Sequence, residues 1–311
     1  MIIARLDGGL GNQMFQYAAG RSLSLHHHVP LYLDTTTLEK DPAGAYTPRK
    51  YELDCFKIQS LKATEKQLAH FSRSRSTLSR VIDRTFPSLR KNLSFYESGY
   101  CFDKSFFRLP ADTLLIGFWQ SEKYFKPFHK LIRSELSLRN DSPPEIKIIA
   151  KRIQSLYSVS VHVRRGDYVS LKDAHEFHGL CSLKYYERAH SILQAENKDC
   201  HFFIFSDDLE WCRQNLQRLK NSHLVCHSFG AEWDLYLMSL CKSHIIANSS
   251  FSWWGAWLCE YPGKRVLVPE YWFRNIKTAS LDVVAEGWEV INKTEENCRM
   301  KIAGTGSSAH V

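Results

Sequence analysis

The sequence predicts an α/β protein built on parallel β-sheets. Short apolar, β-branched runs alternate with helical stretches in its second half, as in consecutive β-α units. Each run also stops abruptly at polar residues or glycine. The predicted strands are residues 2–6, 159–163, 202–205, 244–247 and 265–268, and predicted helices include residues 183–196 and 233–241.

The composition is that of an ordinary globular protein. The 311 residues are 44% hydrophobic and 24% charged, and this length suits two domains. No run approaches the roughly 20 apolar residues of a membrane-spanning helix, and early charge and glycine argue against a signal peptide. We therefore expect a cytoplasmic protein. The nine cysteines include no C-x-x-C pair, which argues against a disulfide framework and a zinc ribbon.

The formal net charge of +8 is compatible with a polyanionic partner and equally with a basic surface. The densest basic stretch, residues 73–91, is typical of a solvated helical face and loop. Its alternative is peripheral contact with the anionic inner face of a membrane.

A domain boundary is predicted near residue 145. Residues 139–147 carry a Pro-Pro pair that interrupts the helical pattern on both sides. This gives an N-terminal domain at 1–145, a C-terminal domain at 146–298 and a frayed tail at 299–311, which is small and polar.

Four predicted strands end in loops rich in polar and small residues. The loops read D-G-G-L-G-N-Q, R-R-G-D-Y, S-D-D and N-S-S-F-S-W-W in chain order. Because parallel sheets bind ligands beyond the carboxyl ends of their strands, these loops predict one composite site or two facing sites.

Arg164 and Arg165 suit a diphosphate. Strand alternation puts Ser160, His162 and Arg164 on one face. Each guanidinium can hold phosphate oxygens bidentately and keeps its charge. The alternative is a pair of surface arginines neutralised by Asp167 or another carboxylate, and the surrounding His and Gly-Asp favour the anion site.

Asn248, Ser249 and Ser250 fall where a helix from about Phe251 would have its N-cap. The free N–H groups of a helix N-terminus suit phosphate. The alternative is a plain cap, and for the tryptophans that follow we favour a position in the core. These are Trp253, Trp254 and Trp257.

Asp207 and Asp208 do not make a metal site by spacing, because Asp-x-Asp is absent from the chain. We favour a helix cap or a hydrogen bond to a nucleobase or ribose. His175 and His178 lack a third ligand, and the histidines at 26–28 are weaker candidates still.

The opening loop matches the nicotinamide-binding fingerprint only in part. Gly9, Gly11 and the later Asp34 fit, but Met14 occupies the third glycine position, where it would crowd the packing of helix on strand.

Six segments, in order from Gly8 to Leu258, together resemble the bacterial α-1,2-fucosyltransferases of glycosyltransferase family 11. The combination of H-x-R-R-G-D-Y with N-S-S-F-S-W-W-G-A is the most specific part. The segments are GGLGNQMFQYA, GFWQSEKYF, VSVHVRRGDYV, FHGLCSLKYY, FIFSDD and DLYLMSLCKSHIIANSSFSWWGAWL.

The resemblance implies a GT-B-type fold, with two Rossmann-like domains facing across a cleft and GDP-fucose held mainly by the C-terminal one. It implies inverting, metal-independent transfer of L-fucose to the 2-hydroxyl of a terminal galactose on an oligosaccharide or lipid-linked glycan. No cofactor and no nucleic acid partner is expected. The alternatives are an α-1,6 or protein O-fucosyltransferase and a non-catalytic sugar-nucleotide- or glycan-binding protein; the oligomeric state and the galactoside stay open.

The motifs and loops together give three sets of candidate residues. The catalytic candidates are His162, Arg164, Arg165 and Asp167, with Asp7 and His178 as lesser proton acceptors. The donor-binding candidates are Gly9, Gly11, Asn12, Gln13, Ser206, Asp207, Asn248, Ser249, Ser250 and Phe251. The acceptor-binding candidates are Trp119, Gln120, Glu122, Tyr124 and His178, with Trp119 equally compatible with the core.

Overall fold

The computed structural model describes residues 1–38, 49–72, 93–166, 179–274, 276–278 and 281–291. In the first half of these residues, five parallel strands form one sheet of order β3-β2-β1-β5-β4. The strands are β1 (Ile2–Arg5), β2 (Leu31–Asp34), β3 (Leu61–Lys62), β4 (Leu93–Tyr96) and β5 (Thr113–Ile116).

A second parallel sheet lies in the other half, with the order β13-β10-β9-β6-β7-β8. A short antiparallel pair, β11 with β12, follows β10. The strands are β6 (Tyr157–Val163), β7 (Cys200–Ser206), β8 (Ser222–Leu224), β9 (Ser243–Ile245), β10 (Val266–Pro269), β11 (Tyr271–Phe273), β12 (Ile276–Lys277) and β13 (Glu289–Ile291).

Helices connect the strands of both sheets. Single 3₁₀ turns lie at Leu53–Cys55, Phe106–Arg108, Glu122–Tyr124 and Lys126–Phe128. The α-helices are α1 (Leu10–His27), α2 (Glu65–Ser72), α3 (His129–Glu135), α4 (Pro144–Ser155), α5 (Leu183–Glu196), α6 (Leu209–Asn215), α7 (Ala231–Ser239) and α8 (Ser250–Leu258). Two helix-flanked parallel sheets confirm the predicted α/β class with two Rossmann-like domains of GT-B type.

The predicted alternation along β6 is confirmed. Val159, Val161 and Val163 pack into one buried cluster with side chains of α5. On the opposite face, the Ser160 hydroxyl lies 2.7 Å from Nδ1 of His244. Two buried faces explain why this strand reads as a nearly continuous apolar run.

The close approach of α1 to its sheet is made at Gly20 and not at residue 14. A Cβ at Gly20 would lie 2.8 Å from the Ala4 Cβ and 2.9 Å from Leu31 Cδ1. Met14 is fully buried in the core. The contact between helix and strand that needs glycine therefore lies almost two turns further along α1 than residue 14.

One core joins the two halves of the molecule. The Phe15 ring of α1 lies 4.5 Å from Trp253 and 4.9 Å from Trp254 of α8. Phe125 stacks on Trp254 with ring centroids 5.4 Å apart. The favoured interpretation of the tryptophans as core residues is confirmed, and Trp257 is buried with them.

The predicted domain boundary falls in the first turn of α4. This helix begins at Pro144, and Ile146, Ala150 and Ile153 form its buried face. It packs against β6 and α7 of the C-terminal sheet.

No helix in the described ranges is both long and apolar enough to cross a membrane. The basic stretch at 73–91 and the tail at 299–311 lie outside the described residues.

Candidate active site

The loops after β1 and β9 meet at the junction of the two halves. A Cβ at Gly11 would lie 2.5 Å from the Phe251 nitrogen and 2.8 Å from the Ser250 hydroxyl oxygen. Trp254 Nε1–H donates a hydrogen bond to the Gly11 carbonyl at 2.9 Å. Gly11 is thus needed for the packing of α1 on α8. The reason proposed for this glycine from the sequence was a different one, namely contact with the sugar-nucleotide donor.

Gln13 holds the opening loop from inside. Its amide group donates to the carbonyls of Gly8 (2.9 Å) and Lys50 (2.8 Å), and its Oε1 accepts from the Glu52 N–H (3.0 Å). The side chain is fully buried, so its predicted donation to a ligand is not available in this arrangement. Gly8 has φ +76°, a conformation suited to glycine, and Gly9 is the N-cap of α1.

Asp34 is used by the fold and not by a ribose. Its carboxylate accepts from Arg5 Nε at 2.8 Å and from the Thr36 hydroxyl at 2.7 Å. Burial alone would raise the pKa of this carboxyl, but these bonds lower it. Asp34 therefore does not support a nicotinamide-binding site, although its position in the sequence fits the fingerprint.

His162 lies near the carboxyl end of β6 and is 6% exposed. Its ring centroid is 5.4 Å from that of Phe251, the second residue of α8. Burial lowers its pKa to about 4, an effect that Asp207 opposes and Arg164 increases. His162 is therefore neutral near pH 7, which suits a hydrogen-bonding role better than the predicted role as a base, because an acceptor works best with a pKa near the working pH.

Arg164 and Arg165 are each paired with an aspartate from the loop after β7. Arg164 lies 2.8 Å from Asp207, and Arg165 lies 3.0 Å from Asp208. The Arg165 guanidinium also covers the Trp211 ring at 4.4 Å. Both arginines remain partly exposed. The alternative considered for this pair, neutralisation by carboxylates, is observed with Asp207 and Asp208. Asp167, the carboxylate named in that alternative, lies outside the described residues.

The aspartates have distinct local roles. Asp208 caps α6 by accepting from the Trp211 N–H at 3.0 Å, which confirms the helix-cap interpretation for this residue. Asp207 accepts from the Arg165 N–H at 2.9 Å. A Cβ at Gly166 would lie 2.7 Å from the Asp207 carboxylate, so the glycine after the arginine pair makes room for it.

The Ser206 hydroxyl takes part in a hydrogen bond within the fold. Its Oγ accepts a hydrogen bond from the Asp208 N–H at 2.9 Å. This bond shapes the turn that leads from β7 into α6, so the predicted donor contact of Ser206 has a competing structural use.

The N-terminus of α8 carries two serines with open hydroxyls. Ser249 is the N-cap in extended conformation, with no side-chain cap bond. In the part of the chain that the structure describes, neither Ser249 nor Ser250 forms a side-chain hydrogen bond. The first N–H groups of α8 and these hydroxyls lie at the helix N-terminus where the sequence places the anion site, and their role in binding stays a prediction.

The Asn248 side chain is hydrogen-bonded within the fold. Its Nδ2 donates to the carbonyls of Trp272 (3.2 Å) and Gly179 (3.4 Å), and its Oδ1 accepts from Cys181 Sγ at 3.4 Å. The side chain is buried between these two loops. The prediction that it contacts the donor directly does not fit this position.

The predicted acceptor residues tie the halves together. Trp119 is 0% exposed with φ +57°, and Tyr124 is buried beside it. Gln120 donates to Asn12 Oδ1 (2.9 Å) and accepts from Trp272 Nε1 (3.1 Å). Glu122 accepts from Trp257 Nε1 (3.2 Å) and from the Glu286 N–H (2.9 Å). Trp119 is thus a core residue, which is the alternative left open for it. Gln120 and Glu122 are half-buried and already bonded within the fold, and their contact with a sugar stays a prediction.

A carboxylate that the sequence analysis missed lies at the same edge. Glu97 follows β4, and its Oε2 accepts from the N–H groups of Phe118 (2.7 Å) and Trp119 (2.9 Å). Phe118 itself is 41% exposed. The available signal was the apolar run L-S-F-Y ending in Glu97, which is the same strand-end pattern that identified the other loops.

The sequence profile of Glycosyl transferase family 11 matches residues 67–292 of this chain. The chain belongs to glycosyltransferase family 11. It is 36% identical over 301 residues to an alpha-1,2-colitosyltransferase of Escherichia coli, covering 94% of this chain and 99% of the relative.

Two further relatives extend this family 11 match. The O-antigen biosynthesis glycosyltransferase WbnK of Escherichia coli is 34% identical over 293 residues, which cover 86% of this chain and 93% of the relative. Galactoside alpha-(1,2)-fucosyltransferase 1 of Leontocebus fuscicollis is 29% identical over 155 residues, which cover 46% of this chain and 42% of the relative.

Four candidates of this family 11 glycosyltransferase need separate mention. Asp167 and His178 lie outside the described residues, as does His175. Asp7 is exposed, and its N–H donates to Gln16 Oε1 at 2.9 Å. Among the described residues, no group of three or more His, Cys, Asp or Glu side chains is close enough to hold a metal ion.

Proposed function

We propose that this family 11 glycosyltransferase transfers L-fucose from GDP-fucose to the 2-hydroxyl of a terminal galactose. The observation that carries the proposal is the pair Arg164 and Arg165 at the end of β6, in the same strand-end region as the open N-terminus of α8. Two guanidinium groups with helix N–H groups and free hydroxyls complement the four or more oxygens of a diphosphate.

Stabilisation of the leaving group is the main chemical task in this proposal. The bond from fucose to a diphosphate is already activated, so negative charge develops on GDP as that bond breaks. Fixed guanidinium and N–H groups stabilise this charge without a large reorganisation. A metal ion is then not required, and inversion follows from attack of the galactose hydroxyl on the face opposite to GDP.

The proton of the galactose hydroxyl must either pass to a base during the attack or leave after the bond to GDP has broken. His162, with a pKa of about 4 caused mainly by burial, is a weak base in the free protein. We propose that it hydrogen-bonds the donor through its neutral ring, that the bond from fucose to GDP breaks before the hydroxyl proton moves, and that this proton then passes to solvent water.

Transfer of colitose is the second candidate. The 36% identity to an alpha-1,2-colitosyltransferase extends over nearly all of both chains. Colitose is L-fucose without its 3-hydroxyl, so the two donors differ by one hydrogen-bonding group. A site that bonds this hydroxyl rejects the deoxy sugar strongly, whereas an apolar site discriminates weakly.

The test uses the purified full chain with GDP-fucose or GDP-colitose and a panel of β-galactosides, free and lipid-linked, with β-glucosides as matched controls. We expect a 1,2-linked α-fucosyl galactoside, identified by NMR of the product. Preference for GDP-colitose would support the second candidate, and a 1,6 linkage or no transfer from either donor would contradict the proposal. The rate should persist in excess EDTA; a loss restored by Mn²⁺ or Mg²⁺ would contradict the metal-independent part.

A further inference from the structure

Glu97 occupies a niche built for its side chain. A Cβ at Gly117 would lie 2.4 Å from the Glu97 Cβ and 2.7 Å from its Oε2, so glycine leaves the room that the carboxylate fills. The N–H groups of Phe118 and Trp119 then hold Oε2 at 2.7 and 2.9 Å. This carboxylate is fixed at the carboxyl edge of the N-terminal sheet.

The second oxygen of Glu97 is open. Within the described ranges, Oε1 has no hydrogen-bonding partner, and it retains contact with solvent. Burial of the rest of the carboxyl group raises its pKa, although the two N–H bonds oppose this. A partly desolvated carboxylate oxygen with a free lone pair is a strong acceptor for hydroxyl groups.

Two exposed aromatic rings belong to the same segments. Phe118, whose N–H holds Glu97, is 41% exposed, and Tyr100, three residues after Glu97, is 43% exposed. The Tyr100 ring lies 4.6 Å from Phe273 of the C-terminal half. Tyr100 therefore lies where the two halves meet. Exposed aromatic rings and an open carboxylate oxygen suit a pyranose, which has an apolar C–H face and a rim of hydroxyls.

A chain of contacts links this edge to the proposed donor residues. Phe118 and Trp119 lead to Gln120, whose amide group donates to Asn12 Oδ1 at 2.9 Å. Asn12 is next to Gly11, which packs against Ser250 and Phe251, and Phe251 lies against His162. Glu97 after β4 and the loop after β1 thus lie at the same carboxyl edge of the N-terminal sheet, and that loop packs against the N-terminus of α8.

We propose that Glu97, Phe118 and Tyr100 form the subsite that receives the acceptor sugar. The Phe118 ring lies under the C–H face of a galactose-terminated glycan, and Glu97 Oε1 accepts hydrogen bonds from its hydroxyls. This inference rests on the proposed function, and it assigns the acceptor side to residues other than the buried Trp119 and the half-buried, internally bonded Gln120 and Glu122.

Glu97→Gln is the main test, because an amide oxygen can still accept from both N–H groups while the charge is lost. We expect the KM for the galactoside to rise about tenfold or more, since hydrogen bonds to a charged group are lost. The KM for the donor, the Kd for GDP and the Tm should stay unchanged. Phe118→Ala should raise the galactoside KM in the same way.

Tyr261→Ala is the matched control. Its ring is 40% exposed and faces Tyr157, at the opposite end of β6 from the arginines. It should leave the galactoside KM unchanged. An unchanged galactoside KM in both Glu97→Gln and Phe118→Ala would overturn the proposal, as would an equal loss of donor and acceptor affinity accompanied by a fall in Tm.

Direct binding separates this inference from the proposed function. If the wild-type chain transfers no sugar, the proposed function fails, and galactoside binding is then measured by saturation-transfer NMR. Binding to wild type that weakens in Glu97→Gln would support the subsite. Absence of galactoside binding to wild type, or equal binding to both, would overturn it.

Discussion

Arg164 and Arg165 are each paired with a carboxylate in this structure. Asp207 and Asp208 pair with them at 2.8 and 3.0 Å. Such pairing fixes the guanidinium groups in advance and reduces the ordering cost of binding a diphosphate. It also means that phosphate oxygens must compete with carboxylates for the same N–H donors.

Arg164→Ala and Arg165→Ala should each abolish most transfer. Charge-assisted contacts to a diphosphate are worth a few kcal/mol, so kcat/KM should fall about 100-fold or more while the circular dichroism stays that of wild type. The control is Arg213→Ala, because this exposed arginine on α6 pairs with Glu210 at 2.6 Å, a residue of the same helix. Near-normal activity of both test variants would remove the arginines from the proposed mechanism.

His244 should make the stability depend on pH. Burial, with a smaller effect of Lys264, lowers its pKa to about 3 from 6.5. The unfolded chain therefore binds a proton that the folded chain does not, so this contribution is complete above about pH 6.5 and is lost as the pH falls toward 3.

His244→Asn can keep the bond to Ser160 and cannot titrate. Between pH 6.5 and 4, the free energy of unfolding in urea should fall less steeply for this variant than for wild type, by up to about 1.4 kcal/mol per pH unit. Substitution of the exposed His129 by Asn is the control and should keep the wild-type slope. Equal slopes for wild type and His244→Asn would contradict the prediction.

At the level of elements, the contact between α1 and α8 decides how the two halves meet. A methyl group at Gly11 would lie 2.5 Å from a backbone nitrogen of α8, whereas one at Gly9 would come no closer than 4.0 Å to Arg49 Nε. The two glycines stand two residues apart and differ in what surrounds them, so they form a matched pair.

Gly11→Ala should lower the Tm by about 3 °C or more, because the backbone of α8 must shift to admit the methyl group. Gly9→Ala should leave the Tm within about 1 °C, since its φ of −78° suits alanine. Thermal unfolding followed by circular dichroism measures both. Equal Tm values for the two variants would show that the α1–α8 contact tolerates extra volume.

The elements that local pattern predicts best are those of the C-terminal sheet. The helix predicted at residues 183–196 is observed with the same bounds, and the strand predicted at 159–163 is extended at its start to Tyr157. Their periodicity of 3.6 or 2 residues is set by neighbours in sequence. Strands β2 to β5, β8 and β11 to β13, which have two to four residues each, were not predicted from the sequence.

For the whole molecule, the shared core predicts one cooperative unfolding transition. Buried side chains of both halves form a single cluster that includes Phe15, Phe125, Trp253 and Trp254. Polar contacts add to it, as between Arg133 and the Trp257 carbonyl at 2.6 Å. Exposure of either half would therefore uncover apolar surface of the other.

Differential scanning calorimetry should give one transition with equal calorimetric and van't Hoff enthalpies. Trp254→Leu, which removes the hydrogen bond to Gly11, should lower its Tm without changing the number of transitions. Two resolved transitions in the wild-type chain would mean that the halves unfold independently despite the common core.

The sequence by itself determined the α/β class, the polar strand-end loops and the family. These depend on periodicity and on short motifs, which are properties of residues close together along the chain. The arginine pair, the serines before α8 and the core position of the tryptophans were all derived in this way. The structure confirms the core position of the tryptophans, while the binding roles of the arginines and serines stay predictions.

Only the tertiary structure decided which polar side chains are free to meet a ligand. Gln120 is bonded to Trp272 across 152 residues of chain, and Glu122 to Trp257 across 135. Gln13 is likewise used inside the fold, while Glu97 keeps one oxygen open. A side chain's availability depends on partners brought from the other half of the molecule, and no pattern within a loop contains that information.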